Sequence, residues 1–254
     1  VAADPPAVHP VAARGFGQNA EDYERARPGY SPEAVAFLVS RLDLRPGRTV
    51  LDVGAGTGKL TRLLVPTGVT VVAVEPVAAM RAELARVVPE ARVYDATADR
   101  LPVDTGSMDA IVCSQAFHWF ATAEVLREFA RVVAPGGALA LVWNVRDASV
   151  PWIRQFSELL QPYEGDRPDH NSGDWQAPFT ADAPFGELHT TTFSHEQPMT
   201  PELLVARAAS MSFVGVMDEP TRARVLGQIR QLGAAQGDAF GFPYTTDVHL
   251  SVRR

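Results

Sequence analysis

Cysteine is almost missing from this 254-residue chain. Cys113 stands alone, inside the apolar run Ala110-Ile111-Val112-Cys113. A single cysteine rules out an intrachain disulfide and a cysteine-type zinc cluster. Lysine is just as scarce: of the 23 cationic side chains, Lys59 is the one lysine and the rest are arginine. There is no excess of positive charge. The 23 cations face 30 acidic residues, for a net charge of -7, so the basic footprint needed for non-specific nucleic-acid binding is missing and no nucleic-acid partner is expected. No run of ~18 apolar residues occurs, so no membrane span is expected. The Ala/Pro-rich stretch Val1–Arg14 has no apolar core of the kind a secretory leader needs. It reads as a disordered tail, and the chain as a cytoplasmic protein. Nothing in the sequence decides between monomer and homodimer.

Hydrophobic residues make up 46% of the chain and charged residues 21%, the balance of a globular protein with a large core. Ser31-Pro32 reads as an N-cap followed by proline at the first helical position. Val35, Leu38, Val39 and Leu42 then follow at helical spacing. From Thr49 onward, short apolar runs alternate with amphipathic ones. Strands are predicted over Thr49–Val53, Val69–Glu75, Ala91–Tyr94, Met108–Ser114 and Ala138–Trp143, with helices over Lys59–Val65, Ala78–Val88 and Ala121–Val133. Pro135-Gly136-Gly137 reads as a turn. Near-continuous apolar strands between helices imply a parallel sheet covered on both faces, the α/β doubly wound pattern.

After Asn144 the regularity fades. A helix is predicted over Pro151–Tyr163, strands over Leu188–Glu196 and Tyr244–Val252, and helices near Pro201–Ser210 and Thr221–Ala235. Residues 164–185 form a long insertion rich in Gly, Pro, Asp and Asn, the length at which loops serve as lids or are disordered. The organisation expected is a tail (1–14) and a single domain (15–254). Within the domain, 15–144 form a cofactor half and 145–235 a variable substrate-lid region.

The strongest chemical signal is Asp52-Val53-Gly54-Ala55-Gly56-Thr57-Gly58. An apolar strand enters alternating glycines, and a helix follows. Glycines allow a sharp turn and close approach of the backbone to a ligand, and the helix start offers unpaired N–H groups. A dinucleotide fingerprint is G-x-G-x-x-G; here the third glycine comes one residue early. Glu75 ends the next strand, where a carboxylate accepts both hydroxyls of a ribose and repels a 2′-phosphate.

Taken together, these segments resemble the class I S-adenosylmethionine-dependent methyltransferases. The matching stretches are residues 52–58, 73–77 (Val-Ala-Val-Glu-Pro), 96–102, 107–112, 115–120, 131–137 and 243–246. Residues 23–30, Tyr-Glu-Arg-Ala-Arg-Pro-Gly-Tyr, are similar to the small-molecule branch that includes trans-aconitate methyltransferases. The resemblance implies a Rossmann-like, mostly parallel seven-stranded sheet with an antiparallel last strand. It implies N-terminal helices and a C-terminal helical and loop insertion acting as a lid. It also implies S-adenosyl-L-methionine as cofactor, released as S-adenosyl-L-homocysteine. By that resemblance Asp52, Gly54, Ala55 and Gly56 belong to the cofactor loop, Glu75 holds the ribose, and Pro76 and Met80 flank the adenine. Thr97, Ala98 and Asp99 read the adenine edge; many relatives have Asp where this chain has Thr97. Gln115 closes over the methionine portion. Tyr23 and Arg27 lie over the cofactor, with Arg27 placed to pair with its carboxylate.

Such a donor carries its own leaving group, so positioning the acceptor dominates. A hydroxyl acceptor needs a base; a carboxylate needs cations to orient it. His118 is the candidate base, set against a structural histidine fixing its turn. Asn144 either orients a substrate or caps a strand end. Arg146 is either solvated or a contact for an anionic substrate, and Trp119 and Phe120 are either core or substrate cage. His170, Trp175 and Phe179 belong to a lid or anchor a loop. Asp166, Asp169 and His170 cluster without a recognisable ligand spacing, so no metal is expected. Methyl transfer to a small molecule, at a carboxylate or hydroxyl oxygen, is the leading reading. A non-catalytic cofactor-binding module and a nicotinamide-dependent oxidoreductase are the alternatives.

Overall fold

The structure is a computed structural model, and it describes residues 24–165 and 168–254. The tail expected over 1–14, Tyr23 and Asp166 lie outside the described residues. Seven strands form one sheet in the order β3-β2-β1-β4-β5-β7-β6. They are β1 (Thr49–Val53), β2 (Thr70–Val74), β3 (Arg92–Tyr94), β4 (Met108–Ser114), β5 (Val133–Arg146), β6 (His189–Met199) and β7 (Phe240–Val252). The first five run parallel, and β7 enters between β5 and β6, antiparallel to both. This is the mostly parallel, Rossmann-like sheet with an antiparallel last strand.

Strand alternation explains the two layers of core. Leu51, Val53, Val72, Val74, Ile111, Cys113, Leu139 and Leu141 face one side, against Phe117, Leu126 and Phe129. Their neighbours Val50, Val71, Ala110, Val112, Ala140 and Val142 face the other, against Ala34, Leu38, Leu60 and Leu64. Successive strand side chains point to opposite faces, so strands buried on both sides must be apolar throughout.

Among the described residues the α-helices in chain order are α1 (Pro32–Arg41), α2 (Thr61–Leu64), α3 (Ala78–Val87), α4 (Ala123–Val132), α5 (Pro151–Leu160), α6 (Pro201–Ala209), α7 (Ser212–Gly215) and α8 (Glu219–Ala234). Ser31 caps α1, its Oγ accepting from Ala34 N at 2.9 Å. Thr122, Thr200 and Asp218 cap α4, α6 and α8 in the same way; such a cap contributes about 1 kcal/mol. Val125, Leu126, Phe129 and Val132 on α4 are buried, each stabilising by roughly 1.5–3 kcal/mol. Among the described residues no helix is long and apolar enough to cross a membrane.

Two local expectations change. Pro135-Gly136-Gly137 is not a turn ahead of a strand but a bulge inside β5. Val133 pairs with Met108 and Ala138 with Ala110, so the extra residues loop out between them. Gly136 has φ +76, and a Cβ on Gly137 would lie 2.6 Å from Asp109 O, so both positions require glycine. The short helix α7 was not expected. After residue 150 the chain builds its own core: Ile153, Phe156 and Leu160 of α5 meet Leu204, Val225, Ile229, Phe242 and Tyr244. This unit stands beside the carboxyl ends of β4 and β5 and walls the site.

Candidate active site

The order of strands reverses between β1 and β4, and open α/β sheets bind ligands at the carboxyl ends of strands at such a point. There β1 runs into Gly54, Gly56 and Gly58, with φ +69, +58 and +85. A residue with a side chain pays about 1–2 kcal/mol in this region. A Cβ on Gly54 would stand 2.7 Å from Ala116 Cβ, and one on Gly58 would stand 2.4 Å from Leu84 Cδ1. A Cβ on Gly56 would meet nothing within 4 Å. The outer two glycines are required by packing, and Gly56 leaves an open cradle.

Glu75 follows β2 and is buried. Its Oε2 accepts from Gly56 N at 2.9 Å and its Oε1 from Val77 N at 2.8 Å. Each oxygen keeps a lone pair for one further donor. Arg81 donates from Nη1 to Glu75 O at 2.8 Å and pairs through Nη2 with Asp95, which fixes the backbone here. Burial pushes the Glu75 carboxyl above the usual carboxylate range, opposed by the two backbone N–H groups. Asp52 is fully buried beneath the loop. Its Oδ2 accepts from Thr61 Oγ1 at 2.7 Å, its Oδ1 has no partner, and desolvation raises it to about 7.

The segment 24–31 straps across the glycine loop. Glu24 Oε2 accepts from Thr57 Oγ1 at 2.6 Å, its Oε1 accepts from Arg62 Nη2, and its carbonyl accepts from Lys59 Nζ. Arg27 donates to Ser210 Oγ and O at 3.1 and 3.0 Å. Gly29 O accepts from Asn144 Nδ2 at 2.7 Å, and Ala26 O from Gln197 Nε2 at 3.3 Å. Glu24 thus sets a carboxylate at the start of the chain's first post-glycine helix, where a dinucleotide would need to put its pyrophosphate.

Beneath the strap lies a hollow lined by Arg27, Gly54, Ala55, Gly56, Gln115 and Asn144, among others. Asp52 and Glu75 do not line it, nor do Pro76, Met80, Thr97, Ala98 or Asp99. Glu75 touches its edge through Gly56. Met80 and Ala98 are buried, and Thr97 O accepts from Arg100 N in the turn after β3. Gln115 follows β4 with φ +56, a strained conformation for a residue with a side chain. It lines both the hollow and a larger crevice of about 490 Å³.

The crevice holds the polar groups nearest the strand ends. His118 Nδ1 accepts from Trp143 Nε1 at 3.2 Å. A ring nitrogen that accepts carries no proton, so this bond assigns the ring N–H to Nε2. Asn144 is held at both ends, by Gly29 and by Thr246 Oγ1, which donates to its Oδ1 at 2.6 Å. Arg146 and Arg207 both line the crevice. Arg207 is buried and donates from Nε to Tyr244 Oη at 3.1 Å. Arg146 lies over the Phe156 ring and reaches Glu164 at 4.0 Å. The Nη1 atoms of both arginines are buried without a hydrogen-bond partner. Desolvation, and then the nearby Arg207 charge, push the Arg146 guanidinium below its usual range. Sequence reasoning missed Glu24 and Arg207. Each acts through contacts made far along the chain, and no local spacing marks them.

A family of methyltransferase domains matches residues 51–141. The chain is 37% identical to an uncharacterized methyltransferase of Mycobacterium tuberculosis, over 91% of this chain and 92% of that protein. Among solved structures it is similar to a candidate type II methyltransferase from Anaeromyxobacter dehalogenans (TM-score 0.67, 22% identity, covering 90% of this chain and 97% of that one). It is also similar to a Haemonchus contortus phosphoethanolamine N-methyltransferase complexed with S-adenosylhomocysteine (TM-score 0.55, 14% identity, covering 93% and 57%).

Proposed function

This chain belongs to the S-adenosylmethionine-dependent methyltransferases, and from that premise we propose that it methylates a small-molecule acceptor at a carboxylate oxygen. The observation that carries the reading is the pair of buried, unpartnered Nη1 atoms on Arg146 and Arg207. The Arg146 and Arg207 charges disfavour each other in the crevice, and an anion between them relieves that cost. A guanidinium N–H left unpaired in a buried site loses about 1–3 kcal/mol, which an incoming carboxylate recovers.

The residues present fit the cofactor. Gly56 leaves the cradle open, and Glu75 keeps lone pairs for two neighbouring hydroxyls. Glu24 already takes the Thr57, Lys59 and Arg62 donors that a phosphate at the helix start would use, which weighs against the nicotinamide alternative. When bound, S-adenosylmethionine supplies a methyl group on a positively charged sulfur leaving group. Gly54, Ala55, Gly56 and Gln115 hold its amino-acid end, and Arg27 lies beside them on the strap. Glu75 takes the ribose, and Pro76, Met80, Thr97, Ala98 and Asp99 surround the adenine beyond it.

A carboxylate is already deprotonated at neutral pH, so no base is needed. No base role is then required of His118, whose Nδ1 accepts from Trp143 Nε1. Asn144 positions the strap and β7 rather than the substrate. The strap and the unit after residue 150 exclude water around the acceptor, and alignment does the rest. In domain terms, residues 15–144 serve the cofactor and 145–235 shape the acceptor crevice of a single domain.

The test is a panel of carboxylate, hydroxyl and amine acceptors, with product analysis. A methyl ester is cleaved by mild alkali; a methyl ether or methylamine is not. Alkali-labile products from anionic acceptors are expected. Alkali-stable products from neutral or amine acceptors would overturn the reading.

A further inference from the structure

His170, Asp247 and His249 each offer a ligand atom, and these atoms all lie within 4.8 Å of one another. We propose that they form a divalent transition-metal site of the zinc class, which fastens the insertion carrying His170 to β7. No spacing in the sequence pointed to a metal, because the ligands meet only through the fold.

Asp247 and His249 are two residues apart on β7, so they share a face of the sheet. On that face they pair with Trp143 and Leu141 of β5, and with Thr192 and Thr190 of β6. His249 is buried at 8% exposure. Its Nδ1 bonds Thr190 Oγ1 at 2.8 Å, while its Nε2 is buried with no partner. A ring whose first nitrogen is held by a hydroxyl and whose second is buried and unused has the arrangement of a metal-binding histidine with its outer partner in place. Asp247 Oδ1 accepts from Thr192 Oγ1 at 2.8 Å, which orients the carboxylate. The third ligand comes from the insertion. Asp169 caps the short turn that carries His170 by accepting from Asn171 N at 2.9 Å. The His170 ring lies 4.4 Å from that of Trp143, centroid to centroid.

Two imidazoles and one carboxylate match three-ligand zinc sites, with water as the fourth ligand. Zinc–ligand bonds of about 2.0–2.2 Å put ligand atoms roughly 3.3 Å apart, so closure asks for a shift on the order of 1 Å, mostly of the His170 turn. Hydroxyls as outer partners and the absence of a nearby thiolate suit zinc, cobalt or nickel over softer cations.

The experiment uses the full chain, stripped of metal by chelator and titrated with Zn²⁺ by calorimetry and with Co²⁺ by visible absorption. One equivalent of each should bind, with Co²⁺ giving the d–d bands of a low-coordinate site. His249→Ala and Asp247→Asn should each weaken binding by roughly 100-fold or more. Thr190→Val, which removes only the outer partner, should weaken it by roughly 10- to 100-fold. Zinc should also slow protease cleavage within residues 164–185 of the parent chain but not of His170→Ala. His170 is half-buried on a turn outside the sheet, so its variant keeps the test valid if His249→Ala fails to fold; S-adenosylhomocysteine binding reports folding throughout. Absence of 1:1 binding, or binding that survives both His170→Ala and Asp247→Asn, would overturn the site and leave His170, His249, Trp143 and Trp175 as an aromatic cluster.

Discussion

Replacing Arg146 by methionine separates acceptor recognition from every other property of the protein. Arg146 lines the crevice but not the cofactor hollow. Its contacts with Glu164 and Phe156 are weak: a 4.0 Å approach to the first and a 5.5 Å stack over the second. The stack contributes about 0.5–1 kcal/mol. Against this, the substitution removes a desolvated charge that faces Arg207, and replacing a buried charge by an apolar side chain of similar volume is often neutral or stabilising. Stability should therefore change by no more than about 1 kcal/mol, or roughly 2–4 °C in Tm for a chain of this size. The acceptor sees something different. Two unit charges about 4 Å apart at an effective dielectric of 20 attract by about 4 kcal/mol, and the net worth of a hydrogen bond to a charged group is about 1.5–3 kcal/mol. The value of kcat/KM for an anionic acceptor should fall roughly 10- to 150-fold, mostly through KM. S-adenosylhomocysteine affinity should stay within about threefold, a change of under about 1 kcal/mol. Arg146→Lys keeps the charge but loses the planar fork, and should fall in between. Steady-state kinetics with calorimetry and thermal unfolding read all three quantities. An unchanged kcat/KM in Arg146→Met, at intact stability, would refute the anion-binding argument.

Three further outcomes follow from the loop beneath the strap. Glu75→Gln turns one accepting oxygen into a donor facing Gly56 N or Val77 N, so S-adenosylhomocysteine affinity should fall roughly 10- to 100-fold, on a buried mismatch of about 1–3 kcal/mol; calorimetry showing less than a twofold change would contradict it. Gly58→Ala should destabilise by about 2–5 kcal/mol, adding the left-handed penalty to a clash with Leu84. Gly56→Ala should cost stability only the penalty of about 1–2 kcal/mol while weakening the cofactor more; equal denaturant midpoints for the two variants would remove the distinction between packed and open glycines. Asp52 is raised to about 7 from 3.8, so between about pH 4 and 7 the folded state holds a proton that the unfolded state has lost. Its contribution therefore falls as pH rises through that window, by up to about 4 kcal/mol. Asp52→Asn should show less of this fall than the parent in urea unfolding at pH 5 and pH 8, and parallel slopes would disprove it.

What could be read from the sequence was whatever a local pattern forces. Strands such as Val71–Val74 must be apolar on every residue because the sheet is covered twice, and the alternating glycines announce a backbone that turns left-handed at each one. Glu75 was legible because it closes the strand after that loop. Arg207 was not, since its partner Tyr244 is on the last strand and nothing near Arg207 in sequence shows it to be buried. Glu24 reads as one more surface acid until the strap folds over Thr57 and Arg62. His118 was read as a candidate base or as a structural histidine fixing its turn; the bond from Trp143, 25 positions away, could not be read from either. The bulge in β5 was mistaken for a turn because Pro-Gly-Gly has the same composition in either role, and only the register against Met108 and Ala110 distinguishes them.

The most direct measurement is a crystal structure of the protein with S-adenosylhomocysteine and an anionic acceptor identified from the panel. Ribose hydroxyls are expected on Glu75 and the amino-acid end of the cofactor beside Gly56 and Gln115. The acceptor carboxylate is expected on Arg146 Nη1 and Arg207 Nη1, with one oxygen about 3–3.5 Å from where the methyl would stand. An acceptor seated away from both arginines, or a cofactor that leaves Glu75 untouched, would contradict these expectations.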